Sequence, residues 1–211
     1  MTIPEWVTVT STLIPALVTA GVVAYGVNAW RRESVGKRRL EASEAIMTKL
    51  FQAVDAIRDI RRIGLSAEEM TSRVRSEGET AIERRCLDTS HAIDKRIQSN
   101  QALFAELRSL KYTAMSVFGP ETEQPFNDIA AIVDEIRNAT FWLTTYLWLP
   151  ESRNEERSED RIRNDQRRKE YEAAIWYSHA NPDELDVGVQ IAISKMDSII
   201  KQSVGGSRYH I

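Results

Sequence analysis

The chain has 211 residues, with 28 Lys and Arg against 31 Asp and Glu, and a formal net charge of −3. A net acidic chain lacks the broad basic face that nucleic-acid binding uses to displace counterions, so no nucleic acid is expected as a partner. One cysteine, Cys86, excludes an internal disulfide framework and fits a reducing compartment.

In chain order, the first feature is an uncharged run. No charged side chain occurs from Trp6 to Trp30. A bilayer core of roughly 30 Å takes about 20 apolar residues at ~1.5 Å rise each, so 6–30 reads as a transmembrane helix behind a short outer N-terminus, 1–5. Its hydroxyls can bond back to helix carbonyls, and Pro15 predicts a bend. Glu5 precedes the run, and Arg31, Arg32, Lys37, Arg38 and Arg39 come after it. A cleaved signal peptide has the opposite polarity. The positive-inside rule then places the N-terminus outside and 31–211 in the cytoplasm, with Trp6 and Trp30 as interfacial anchors. Thr12, Ala16, Ala20, Ala24 and Asn28 recur every four residues. Such a stripe of small side chains lets two membrane helices approach, which predicts a homo-oligomer through this segment.

Segment 31–39 is basic, with five Lys or Arg and Glu33, whereas 40–211 holds 23 basic and 29 acidic residues. The basic segment suits anionic lipid headgroups at ~1 kcal/mol per residue near the surface, as well as fixing orientation.

Residues 40–204 read as a helical domain, because apolar residues recur at helical spacing and alternating β-branched runs are absent. A first helix is predicted from about Ser34 to Ile63, with Ile46, Leu50, Val54, Ile57 and Ile60 inward and Gly64 as its cap. Ser66 and Glu69 form a capping box. A second helix is predicted from Ala67 to Phe118, stopped by Gly119-Pro120. Its inward stripe runs from Met70, Val74, Ile82 and Cys86 to Phe118, and Gly78 is a candidate break. A third begins at Pro125 and ends before Pro150. Residues 151–170 hold seven acidic and seven basic side chains, which fits a solvated helix or a linker. Asn181-Pro182-Asp183-Glu184 is read as a cap and first turn, a last helix runs to Gly205-Gly206, and 205–211 is a frayed tail. The expected architecture is all-α: a transmembrane helix followed by an antiparallel up-and-down bundle of about four long helices. An unbroken second helix would reach about 78 Å, so a bend near Gly36, a break near Gly78 or a tilted bundle is required.

The segment 139–149 is apolar on all sides and too short to span a bilayer. Core burial is the leading reading; the alternative turns Trp142 and Trp148 to a partner or to the lipid interface.

Catalytic and cofactor signatures are missing. The three histidines, His91, His179 and His210, are scattered, and Asp88-x-x-His91 is only half of a di-iron carboxylate motif. No phosphate-cradling glycine loop occurs. Carboxylate pairs such as Glu170 with Glu172 lie in charge-rich stretches and read as solvated surface. Arg84 or Arg85 followed by His91 fits the loose Arg-x(4–6)-His spacing of HEPN-type RNases, which the chain would resemble in that respect. That resemblance implies the Arg and His as a catalytic pair. On a helix, however, His91 lies opposite Ile82, Cys86 and Ile93 and beside Arg73, Glu77, Arg84, Asp88 and Lys95, as on a solvated face.

The run Phe51–Arg61, then Ser76–Thr80, Leu103-Phe104, Phe118-Gly119 and Pro125-Phe126, resembles a loose group of bacterial proteins. These carry one N-terminal transmembrane helix and a helical cytosolic domain, and no activity is assigned to the group. The chain departs from it at Arg62-Ile63-Gly64, where a proline is expected nearby. The resemblance implies the bacterial inner membrane. The leading expectation is a membrane-anchored, cofactor-free interaction or scaffold module, contacting lipid and an unidentified protein. A membrane-tethered RNase using His91 and a bilayer-coupled signalling module are the alternatives.

Overall fold

The computed structural model describes residues 5–148, 158–177 and 182–205, with side chains from Val22 onward except at Ala24, Leu147, 158–161 and 204–205. The described residues form seven α-helices: α1 (Glu5–Ile60), α2 (Ala67–Thr71), α3 (Ala81–Ser99), α4 (Gln101–Phe118), α5 (Glu123–Trp142), α6 (Ser158–Ile175) and α7 (Glu184–Gly205). A 3₁₀ turn at Pro120–Thr122 precedes α5, a π turn at Leu143–Leu147 comes after it, and no strand occurs among the described residues.

The long helices α1, α4, α5 and α7 form the bundle. Arg39 donates to the Ser203 carbonyl at 3.1 Å and Arg58 to Asp186 at 2.8 Å, so α7 runs antiparallel to α1. Lys49 pairs with Glu106, while Glu44 shares a surface hollow with Leu110 and Asp59 one with Asn100, so α4 is antiparallel to α1 as well. At the base of the next pair, Lys111 meets Glu123 at 3.2 Å. The core between them holds Ile46, Leu50, Ile57 and Ile60 of α1, Leu107 of α4, Ile129 and Ile136 of α5, and Val189 and Met196 of α7. Each such side chain contributes about 1.5–3 kcal/mol by leaving water. Ile132 lies against Gly188, where an added Cβ would sit 3.4 Å from its Cδ1, so this glycine lets α5 and α7 approach closely.

Several boundaries differ from the sequence expectation. The first helix is longer: α1 runs unbroken through Gly36, and from Val22 to Arg38 every described side chain is exposed. The core begins around Ala42 and Ser43 and α7 already reaches Arg39, so 31–38 forms a bare helical neck. Conversely, the expected 67–118 helix is three helices. α2 ends at Thr71, the chain turns through Gly78 at φ +89°, and Asn100 interrupts the path between α3 and α4. The inward stripe therefore holds from Cys86 to Phe118 but fails before it: Met70 and Val74 are exposed because no single helix connects them to the rest, and Ile82, in the first turn of α3, is exposed beside the cavity it shares with Met70 and Cys86. A second capping box, Thr80 with Glu83, starts α3. Residues 158–175 are helix, and 151–157 lie outside the described residues. Within the expected cap, Asp183 accepts from the Asp186 amide at 3.1 Å at the start of α7. Asn181 itself lies outside the described residues, as does most of the expected tail.

Two buried arginines fix the far end of the bundle, remote from the neck. Arg61, 1% exposed, makes a bidentate pair with Asp183 at 2.8 Å and donates to the Ala173, Ala174 and Trp176 carbonyls at the end of α6. Arg96 pairs with Glu69 at 2.6 and 2.9 Å and donates to the Ile60, Arg62 and Gly64 carbonyls. Gly64, at φ +88°, turns the chain so that its carbonyl faces Arg96. The expected cap glycine and the Ser66–Glu69 capping box are both present.

Arg61→Met should destabilise the fold by about 3–5 kcal/mol, because it leaves Asp183 buried without its cation. Denaturant unfolding followed by circular dichroism measures this, and a change under about 1 kcal/mol would contradict the role. Glu69 gives a pH signature. The hydrogen bond from Arg96, helped by the Ser66 amide, lowers its carboxyl to about 2. A carboxyl lowered by folding lends stability that is complete above its unfolded value and is lost as pH falls through the folded value. The stability advantage over Glu69→Gln should therefore shrink between about pH 4.5 and 2, measured by thermal melts across that range.

Candidate interaction surface

Two surfaces stand out on the described bundle, and they share α5. The first is a cleft of about 390 Å³ where α3 and α4 pass α5. Its floor is Ile97, Leu107, Phe126, Ile129 and Val133, all buried, with Phe104 half-buried beside them. Gln98, Gln101 and Asn127 form polar shoulders. Apolar floor and polar rim together are the usual anatomy of a binding surface. At the base of the α4–α5 pair, Lys111 reaches Glu123 and Asn127.

Charge differs between its ends. Toward the far end lie Asp94, Asp134 and Arg137; toward the neck lie Arg108 and Lys111. Asp134 pairs with Arg137 at 3.1 Å, and Lys111 with Glu123. Asp94 and Arg108 make no hydrogen bond or ion pair among the described residues. Partial burial raises the Asp94 carboxyl above its ordinary value, against the opposing effect of Arg137 and His91.

The second surface is aromatic. Phe141, Trp142 and Tyr146 are 56%, 44% and 50% exposed and stack on one another, with ring centroids 5.0–6.4 Å apart. Phe141 continues the α5 face of Ala130, Asp134 and Arg137 at helical spacing, so the triad begins where the cleft ends. The π turn displaces the chain after Trp142 by one residue, and the Trp148 amide bonds the Leu143 carbonyl at 2.9 Å. Such insertions recur at functional sites.

The segment 139–149 thus divides. Ala139, Thr140 and Leu143 are buried as core, while Phe141, Trp142 and Tyr146 face outward. Trp142 is exposed as the partner reading requires. Trp148 is not: it packs on the core and its indole donates to Glu172 at 3.0 Å.

The other expected site residues are spread out. Asn28 is exposed on α1, whereas the side chains of Thr12, Ala16, Ala20, Ala24 and Trp6 lie outside the described residues. Arg31, Arg32, Lys37 and Arg38 are exposed along the neck, Arg39 is partly buried, and Trp30 is 70% exposed. Among the described residues no helix is long and apolar enough to cross a membrane. Most side chains of 6–30 fall outside that description.

The arginine–histidine pair is not assembled. Arg85 lines a separate cavity with Cys86, Thr89 and Trp176, of about 800 Å³, and His91 is not among its lining residues. Arg84 points along the same face as His91 but about 10 Å away, with Asp88 between them. Asp88 is itself buried and held by Arg73 at 2.9 Å and Arg75 at 3.3 Å, so this face is not the solvated one that the helical wheel implied. The loop that supplies those arginines folds back because Arg73 also binds Glu79 at 2.6 and 2.7 Å and lowers its carboxyl to about 2. His91 Nε2 is buried without a hydrogen-bond partner among the described residues. No cluster of three or more metal-ligating side chains occurs among the described residues.

Sequence reasoning missed the cleft. The polar Gln98, Gln101 and Asn127 beside an apolar stripe were its signal, but only the pairing of α3 and α4 with α5 brings them together. Comparison with family models, curated proteins and solved structures gives no match.

The exposed and buried aromatics should separate energetically. Trp142→Ala should cost under about 1 kcal/mol of stability, and the neighbouring Leu143→Ala about 2–5 kcal/mol. Paired denaturation curves test this; equal losses would place Trp142 in the core.

Proposed function

We propose that this chain is a membrane-anchored interaction module, which holds a helical docking surface at the cytoplasmic face of the inner membrane. The observation that carries the partner-binding part is the exposed triad Phe141, Trp142 and Tyr146 beside the open cleft. Large aromatic side chains kept in water cost solvation and are concentrated at interface hot spots. Here they sit on a helix fixed by its own buried face, so binding would require little ordering.

The anchor rests on the uncharged run 6–30 and on the basic residues behind it. Exposed Val22, Val23, Tyr25, Val27 and Trp30 on an unpacked stretch of α1 suit lipid better than water. The next residues are Arg31 and Arg32, then Lys37, Arg38 and Arg39, suited to anionic headgroups. Because α1 is continuous, anchor and bundle would be joined by a stiff neck. From Trp30 to Arg39, where α7 first touches α1, that neck spans about 13 Å, which would keep the bundle clear of the bilayer surface. Pairing of two chains through Thr12, Ala16, Ala20, Ala24 and Asn28 belongs to the same proposal. No observation favours the RNase reading, since the structure leaves Arg85 and His91 apart.

A photoreactive residue introduced at position 142 in the full chain should cross-link to another protein in intact membranes. One at exposed Phe51, on the α1 side of the bundle, should not. Adducts only to lipid, or none, would remove the docking surface. Protease added outside intact cells should leave 31–211 uncut, and digestion there would reverse the orientation.

A further inference from the structure

We infer that the cleft between α3, α4 and α5 receives an amphipathic α-helix of a partner protein, with a basic side chain at the Asp94 end and an acidic one at the Arg108 end. This rests on the partner-binding reading above and names the partner's chemistry. Three features carry it. The floor is apolar, formed by Ile97, Leu107, Phe126, Ile129 and Val133, and the walls are helices, α3 and α4 on one side and α5 on the other. That is the shape into which one helix lays an apolar stripe of i, i+3, i+4 and i+7 residues. The ends are oppositely charged and incomplete: Asp94 and Arg108 make no hydrogen bond or ion pair among the described residues, whereas the neighbouring Asp134 and Lys111 already have one. Asp94 lies on α3 and Arg108 on α4, on either side of the break at Asn100, so the two charges mark opposite ends of the cleft. An acyl chain would fill the floor but would satisfy only Arg108. A helix with unlike ends satisfies both.

The shoulders suit the same occupant. Gln98, Gln101 and Asn127 offer hydrogen bonds at the rim, where helix docking leaves partial access to water. Ala130, small and exposed on the α5 wall, leaves room for the approaching backbone. Phe141 at the far end would then lie beside the partner's basic terminus, where an aromatic face is favourable for a cation.

The test uses the full chain in lipid nanodiscs and three synthetic helical peptides of about 16 residues, sharing one leucine stripe. One carries lysines at one end and glutamates at the other, the second lysines at both ends, the third glutamates at both. Fluorescence anisotropy should show the unlike-ended peptide binding about threefold more tightly than either like-ended one. Asp94→Lys should shift the preference to the glutamate-ended peptide, and Arg108→Glu to the lysine-ended one. Ala130→Arg should weaken all three about tenfold or more by filling the wall. Both charged sites are exposed, so these variants should fold as the parent does. Equal binding of all peptides, or binding indifferent to Ala130→Arg, would overturn the inference. So would a fluorescent fatty acid that binds where the peptides do not, or a change from dimer to monomer on Ala130→Arg, which would make the occupant a second copy. If cross-links from position 142 persist while no peptide binds, the helical occupant is wrong and the partner-binding reading stands.

Discussion

A helix ends with four carbonyls that have no partner inside it; at the end of α1 the following amides of Arg61 and Arg62 meet two of them, and the last helical carbonyl and those of the turn beyond it are met from outside. Arg96 bonds the carbonyls of Ile60, Arg62 and Gly64, and the Tyr177 amide bonds that of Arg61. Arg61 in turn bonds the last carbonyls of α6 and the carboxylate that caps α7. Each cation sits at the negative end of a helix dipole, where it is favoured. Each also has a bidentate carboxylate, so neither buried charge is left uncompensated. The ends of α1 and α6, the starts of α2 and α7, and the flank of α3 that carries Arg96 therefore meet at one junction.

That junction sets where the docking surface can be. With the far end of α1 fixed, α3 reaches it through Arg96 in its last turn, and α4 runs from there toward the neck. The base of the α4–α5 pair is closed by Lys111, Glu123 and Asn127, and the cleft opens beyond it, where α3 and α4 face α5. Stability and binding thus fall to different side chains. The arginine pairs, the capping boxes and the aliphatic core hold the fold, while Phe141, Trp142, Asp94 and Arg108 contribute little to it and remain accessible.

Much of the helical frame is legible in the residues. Gly64, Gly78 and Gly119 stand out as stops, and all three adopt positive φ. The Ser66 capping box is readable, and Thr80 with Glu83 has the same pattern, although a continuous apolar stripe argues against a helix start there. Apolar spacing identifies Ile46, Leu50, Ile129, Ile136, Val189 and Met196 as core, and they are buried. Periodicity fails where helices are short. It joins Met70 and Val74 to a stripe that belongs to α3, because a stripe can be drawn through a turn as easily as through a helix.

The sequence by itself determined that the chain is helical, where most helices stop, and where charge changes from none, to basic, to acidic. Those properties are local: they arise from spacing, caps and composition within a few turns. Tertiary structure alone decided which charged residues are buried. Arg61 and Asp183 are 122 positions apart, and Arg96 and Glu69 are 27 apart, so no window of helical periodicity links either pair. The same holds for the surface. An aromatic run such as 139–147 states that apolar area must be covered, but the π turn and the packing of α6 decide that Leu143 and Trp148 are covered by the core while Trp142 is left outside.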